Sequence, residues 1–147
     1  MAKKVVVWVV AVLVGTVVGM CVMMALHRAS ALVYPIPPGL DLMSQDPAQQ
    51  ALMKAWFATL PAGAFVMATA AHGLGCLSGA VLATLIVRRR SIVPAILVGA
   101  GFTVAGIMNL AEIPHPAWFA FVDLPIYLAP AALVARLLTR MNPPPTA

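Results

Sequence analysis

Four long apolar runs separated by short polar stretches dominate the chain. They cover about residues 5–27, 59–87, 92–111 and 117–138. The first run has no charged residue from Val5 to Leu26, and at 1.5 Å per residue a helix of this length crosses a hydrocarbon core of about 30 Å. The pattern therefore predicts an all-α integral membrane protein, built as a four-helix transmembrane bundle.

The four spans form one predicted domain, residues 1–141, followed by a proline-rich tail over 142–147 that is expected to be disordered. A cleaved signal peptide is the alternative for the first run, because Ala29-Ser-Ala31 has the small-x-small form of a cleavage site. The apolar run is longer than the 7–15 residues usual in signal peptides, so a retained first span is preferred.

A longer polar stretch separates the first and second spans. Tyr34-Pro-Ile-Pro-Pro-Gly-Leu-Asp41 contains too many prolines for a helix and predicts an extended loop. Asp46-Pro47 then has the form of a helix start, with an N-cap acid and proline at the first helical position. Gln49 completes a capping-box pattern. A short interfacial helix is predicted over about residues 48–57.

Composition and charge support this interpretation. Of the 147 residues, 63% are hydrophobic and 9% are charged, whereas soluble domains carry roughly a quarter charged residues. Seven basic residues flank the apolar runs on one side: Lys3, Lys4, Arg88, Arg89, Arg90, Arg136 and Arg140. The positive-inside rule then places both termini in the cytoplasm. Because no basic patch forms on a soluble domain, nucleic acid is not an expected partner.

Small residues recur along two of the spans. Gly15 and Gly19 are four residues apart in the first span. Ala68, His72, Gly75 and Gly79 are spaced by four, three and four in the second, and therefore share one helix face. Because small residues allow helices to approach closely, both faces are predicted to pack against other helices.

A duplication of one helical hairpin is also possible. Residues 11–15 resemble residues 95–99, and Thr59-Leu-Pro61 resembles Asp123-Leu-Pro125. Both halves start on the same side, so the two hairpins would be parallel repeats. This alignment makes Thr59 and Asp123 equivalent N-caps of Leu-Pro helix starts.

Ionisable residues within membrane spans are functional-site candidates, since they are costly to place in lipid. The candidates lie within the spans or at their outer ends: His27, Arg28, Tyr34, His72, Asn109, Glu112, His115 and Asp123. His72 is the deepest, and is expected either to hydrogen-bond a neighbouring helix or to relay protons. Glu112 is expected to pair with Arg28.

No cofactor or metal is predicted. Glu112 and His115 have the Glu-x-x-His spacing of di-iron bundles, but Pro114 and Pro116 argue against one continuous helix there. A haem would need a second axial ligand at the depth of His72, and no other histidine lies there.

Two outer-loop motifs carry a resemblance to a known group of proteins. The first is His27-Arg28 with Tyr34–Asp41, and the second is Asn109-Leu with Ile113-Pro-His-Pro-Ala-Trp-Phe119. Together they resemble a group of small, four-span bacterial membrane proteins without assigned function. The resemblance implies a bacterial inner-membrane location and identifies no catalytic residue.

Three functions remain open from the sequence. The first is a non-enzymatic role as accessory subunit of a membrane complex or as a homo-oligomer, with the bilayer and other subunits as partners. The second is a transporter or channel for a small solute or protons that uses His72. The third is an enzyme acting on lipid or quinone at the outer interface, using His27, Glu112 and His115.

Overall fold

The computed structural model describes residues 2–87 and 91–141, and these ranges are helical apart from their connections. The helices of this part of the chain are α1 (Ala2–Val33), α2 (Pro47–Thr59), α3 (Ala62–Ile86), α4 (Val93–Glu112) and α5 (Ala117–Met141). Four of them, α1, α3, α4 and α5, are long and apolar enough to cross a membrane. This confirms the prediction of an all-helical chain with four helices of membrane-spanning length. The predicted disordered tail lies outside the described residues.

Helix α1 is longer than predicted. It has 32 residues and continues to Val33, six residues beyond the predicted end of the span at His27. At 1.5 Å per residue it is about 48 Å long, which exceeds a hydrocarbon core of about 30 Å. His27 therefore lies within a continuous helix, and its side chain can pack against the other helices.

Helix α3 is at the centre of the bundle and packs against α1, α4 and α5. Its contact with α1 is the most extensive, because glycines face each other across it. A Cβ added at Gly15 would lie 2.6 Å from the carbonyl oxygen of Gly79, and one added at Gly19 would lie 2.7 Å from that of Gly75. The two small-residue faces predicted from the sequence therefore pack against each other within one chain.

The loop before α2 is held by its own side chains. The predicted N-cap is confirmed, since Asp46 Oδ1 accepts a hydrogen bond from the backbone N–H of Ala48 at 2.9 Å. The predicted capping box is wrong, because Gln49 turns back to the proline-rich loop. Its Oε1 accepts from the N–H of Asp41 at 3.1 Å, and its Nε2 donates to the carbonyl of Gly39 at 3.3 Å.

The N-cap roles predicted for Thr59 and Asp123 are wrong, although α3 begins directly after Pro61 and α5 begins at the predicted residue 117. Thr59 is the last residue of α2, where its hydroxyl donates to the carbonyl of Trp56 at 2.7 Å. Asp123 lies in the second turn of α5, which continues through Pro125 and Pro130. Thr59 and Asp123 thus occupy different structural positions. Asp123 must have a role other than capping.

Candidate functional site

Three polar side chains meet inside the bundle. His72 Nδ1 lies 2.7 Å from Asp123 Oδ1, and the Tyr127 hydroxyl donates to Asp123 Oδ2 at 2.9 Å. The same hydroxyl is 2.8 Å from His72 Nδ1, which closes the triangle. All three residues are buried, with 5%, 1% and 2% of their surface exposed for His72, Asp123 and Tyr127. We call this group the His-Asp-Tyr centre.

Two helices supply the centre. His72 comes from α3, about 15 Å along the axis from the helix start at Ala62. Asp123 and Tyr127 come from α5, where a spacing of four residues places both side chains on the same face. Asp123 lies about 9 Å from the start of α5. Both helices begin at the end of the bundle that holds α2, so the centre lies nearer to that end.

The hydrogen bonds determine how the protons are arranged. An ionised carboxylate is tolerated in an apolar interior when it is paired and hydrogen-bonded. Asp123 meets this condition by accepting from the Tyr127 hydroxyl with one oxygen and from His72 with the other. His72 must then carry its proton on Nδ1, which leaves the lone pair of a neutral ring on Nε2.

The second nitrogen of His72 is the free one. Among residues 2–87 and 91–141, no hydrogen bond to His72 Nε2 is present. Two other rings lie near the imidazole. His27 on α1 is edge-on with a centroid distance of 5.2 Å, and Phe119 is at 6.4 Å. The only one of these neighbours that can exchange a proton is His27.

Glycines on α4 provide the space for Tyr127. A Cβ added at Gly106 would lie 2.6 Å from the tyrosine ring, and one added at Gly99 would lie 2.7 Å from its carbonyl oxygen. Phe102 lies between these glycines in sequence and stacks on the ring at 6.4 Å with an angle of 7°. The thiol of Cys76 donates to the Tyr127 carbonyl at 3.2 Å. These contacts fix the hydroxyl against His72 and Asp123.

Aromatic rings cover the end of the bundle above the centre. Phe119 is 1% exposed and stacks on His115 at 4.7 Å with an angle of 8°. Phe57 of α2 and Phe65 of α3 contact the same imidazole at 6.0 and 5.9 Å. We call Phe57, Phe65, His115, Trp118 and Phe119 the aromatic cap. It connects the α2 helix to the helices that hold the centre.

His115 is held in one orientation by its own loop. Its Nδ1 lies 2.7 Å from the carbonyl of Ile113, so Nδ1 carries the proton and donates it. Burial lowers the pKa of His115 from its usual value of 6.5, and the hydrogen bond to Ile113 and the carboxylate of Asp123 oppose this shift. The neutral imidazole is therefore favoured within the cap.

The structure does not bring the remaining predicted residues into the centre. Arg28 and Glu112 are both exposed, and within the described part of the chain they form no ion pair. The pairing predicted for them is wrong. Asn109 is partly buried on α4 and its Oδ1 has no hydrogen-bond partner among the described atoms. The Tyr34 hydroxyl packs against Gly63, where an added Cβ would lie 2.5 Å away.

Sequence reasoning missed Tyr127. The available signal was a second polar side chain four residues after Asp123 in an apolar run, which places both on one face of a helix. The signal was obscured by the Leu-Pro motif, because the repeat alignment treated Asp123 as the N-cap of that motif. Because α5 runs through that motif, the two residues share a face.

The arrangement is suited to proton binding. Helix α4 ends at Glu112 and Ile113 is extended, so Glu112 and His115 do not share a helix. In the described residues, no three His, Cys, Asp or Glu side chains are grouped as metal ligands. A histidine with its Nδ1 held by a carboxylate can accept a proton at Nε2.

No protein-family model, curated protein or solved structure matches the chain.

Proposed function

We propose that this protein conducts protons across a membrane and that His72 is the group that binds and releases them. The observation that carries the proposal is the buried contact of 2.7 Å between His72 Nδ1 and Asp123 Oδ1, with Nε2 left without a hydrogen bond. An ionisable pair at this depth in an apolar bundle is costly to maintain, and such residues typically mark proton or substrate pathways.

The chemistry of the centre supports this role. When Nε2 of His72 accepts a proton, the imidazolium forms next to the Asp123 carboxylate, and the pair as a whole becomes neutral. When the proton leaves, the neutral imidazole keeps its bond to Asp123, and the Tyr127 hydroxyl continues to donate to the other carboxylate oxygen. Both protonation states therefore keep their hydrogen bonds. Such a group binds and releases protons without rebuilding its surroundings.

A second candidate is the accessory-subunit or homo-oligomer role. Its main support in the sequence was the glycine faces, but these are used between α1 and α3 inside one chain. One structural observation favours this role. In the most apolar 18-residue stretch of α1 only 17% of the residues are buried, compared with 44% in α3. We propose that the exposed surface of α1 contacts lipid or another subunit.

The third possibility, an enzyme at the outer interface, has less support. Its three residues do not converge, because His27 lies against His72 while Glu112 is exposed.

The membrane and the orientation are part of the proposal. The basic residues at the spans' ends favour cytoplasmic termini by the positive-inside rule. The two loop motifs favour a bacterial inner membrane. With this orientation, α2 and the aromatic cap face the outer side and the His-Asp-Tyr centre lies in the outer half. The parallel duplication stays a prediction.

Proton flux into proteoliposomes tests the proposal. Purified full-length protein is reconstituted around a pH-sensitive dye, and a potassium diffusion potential drives protons inward. The expected result is flux above protein-free vesicles, reduced by about 100-fold or to background by His72→Gln and by Asp123→Asn. Glu112→Gln is the matched control, because it also neutralises one carboxylate but on an exposed residue. Flux at the protein-free level, or equal flux from wild type and His72→Gln, would overturn the proposal.

A further inference from the structure

One face of α1 lies along α3 in an antiparallel arrangement, and it brings a second histidine to the centre. Residues spaced by four along α1, Gly15, Gly19 and Met23, contact the glycines of α3. The next residue of this series is His27, whose ring lies 5.2 Å from that of His72. The position of His27 is therefore set by the glycine contacts between α1 and α3.

The α1 face continues beyond His27 in the same register. The Ser30 hydroxyl lies 3.9 Å from the sulfur of Met67, and the Tyr34 hydroxyl packs on Gly63 near the start of α3. These contacts fix α1 against α3 on both sides of His27. The histidine pair is thus part of a continuous interface between two helices.

We infer that His27 is a second proton-binding group of the centre, which exchanges a proton with Nε2 of His72. This inference rests on the proposed function. Nδ1 of His72 is occupied by Asp123 and Tyr127, so the exchange must use Nε2. In the transfer, an N–H bond of the His27 imidazolium breaks and an N–H bond forms at Nε2 of His72, directly or through one water. His27 becomes neutral and His72 becomes the cation beside Asp123.

The position of His27 suits proton exchange with the aqueous phase at the near end of the bundle. His72 is 5% exposed, whereas His27 is only partly buried and lies six residues, or about 9 Å, before the end of α1. The charged and titratable groups that act on His27 are His72 on α3 and Asp123 on α5. Two imidazolium ions this close repel each other, so the pair is expected to hold one mobile proton at a time.

Nitrogen NMR of the full-length chain in lipid nanodiscs tests the pairing without any mutation. The chain has three histidines, so ¹⁵N-histidine labelling gives three resolved imidazoles. The expected result is that the nitrogen resonances of His27 and His72 change together with pH, and that His27→Gln removes this coupling from the His72 resonances. Independent single-step titrations of the two rings in the unmodified protein would overturn the inference, even if His27→Gln fails to fold.

Proton flux separates this inference from the proposed function. His27→Gln is expected to reduce flux about 10-fold or more. Arg28→Gln is the control, since it removes a cation from the adjacent, exposed position. If His72→Gln abolishes flux while His27→Gln leaves it unchanged, the role of His27 is refuted and the proposed function stands. If the wild type shows no flux but the two histidines titrate as a coupled pair, the proposed function is refuted and the pairing stands.

Discussion

At the scale of single residues, the buried polar groups of this protein mostly satisfy one another. Asp123 is 1% exposed and is accommodated because His72 and Tyr127 both direct donors at it. Among the described side chains, Thr69 Oγ1 and Asn109 Oδ1 are buried oxygens without a hydrogen bond. Removing either donor would be strongly destabilising, because the buried carboxylate would lose one of the hydrogen bonds that offset its desolvation. The three residues therefore form a single unit.

The stability of the aromatic cap is expected to depend on pH through His115. Burial lowers the pKa of His115 below 6.5 in the folded chain, so the unfolded chain binds the proton at a higher pH. Stability is thus expected to be full above about pH 6.5 and to fall as the pH drops toward the folded pKa. Denaturant unfolding at several pH values between 7.5 and 5 would measure this.

His115→Gln is the comparison for that experiment. Glutamine does not titrate in this range, so the variant is expected to lose less stability than the wild type between pH 7.5 and 5. An equal loss in both proteins would show that another group causes the pH dependence.

At the scale of helices, glycines determine how closely the spans approach. Gly15 and Gly79 bring the α1 and α3 backbones together, while Gly106 makes room on α4 for the ring of Tyr127. Gly101 lies on the same helix as Gly106, but a Cβ added there meets nothing within 4 Å. The glycines of this protein are therefore not equivalent, although the sequence alone gives them similar settings.

Alanine substitutions are expected to separate these glycines. Gly15→Ala should destabilise the bundle by about 1–3 kcal/mol, because its Cβ would overlap the Gly79 carbonyl. Gly106→Ala should displace Tyr127 and lower proton flux. Gly101→Ala should be neutral or stabilising by up to about 1 kcal/mol, because alanine favours a helix over glycine.

Unfolding of the three variants in mixed detergent micelles, together with their flux, measures both effects. Equal stability of the Gly15→Ala and Gly101→Ala variants would contradict the close packing of α1 on α3. Unchanged flux in Gly106→Ala would show that the position of Tyr127 is not critical.

At the scale of the whole molecule, the helices place different chemistry at the two ends of the bundle. The α2 helix, the aromatic cap and the His-Asp-Tyr centre lie toward one end. Lys3 and Lys4 lie in the first turn of α1 at the other end, where α3 ends and α4 begins. The two ends of the bundle thus differ in chemistry, and the positive-inside rule uses such a difference to predict an orientation.

Cysteine labelling can establish which end faces out. Met43 is 82% exposed in the loop before α2, and Ser91 lies just before α4. In a background with Cys21→Ser and Cys76→Ala, Met43→Cys is expected to react with a membrane-impermeant maleimide in intact spheroplasts. Ser91→Cys is expected to react only after permeabilisation. The opposite result would reverse the proposed orientation.

The all-helical class, the four helices of membrane-spanning length and the N-cap at Asp46 were all predicted correctly, because hydropathy and capping depend on residues close together in the chain. The sequence also identified His72 as a buried polar residue on the small-residue face of its helix. The contacts of His72 depend on how the helices pack, which no local pattern contains. Asp123 is 51 residues away on α5, a helix whose start at residue 117 the sequence predicted, but whose contact with α3 it did not.

The same limit explains the other differences. The glycine faces of α1 and α3 were visible in the sequence, but whether they pack on each other or on a second molecule depends on how the helices are arranged. Arg28 and Glu112 have opposite charges at the same end of the bundle, yet their helices direct both side chains to the surface. Local patterns determine which residues are helical and buried, whereas the packing of α1, α3 and α5 forms the His-Asp-Tyr centre and brings the ring of His27 next to it.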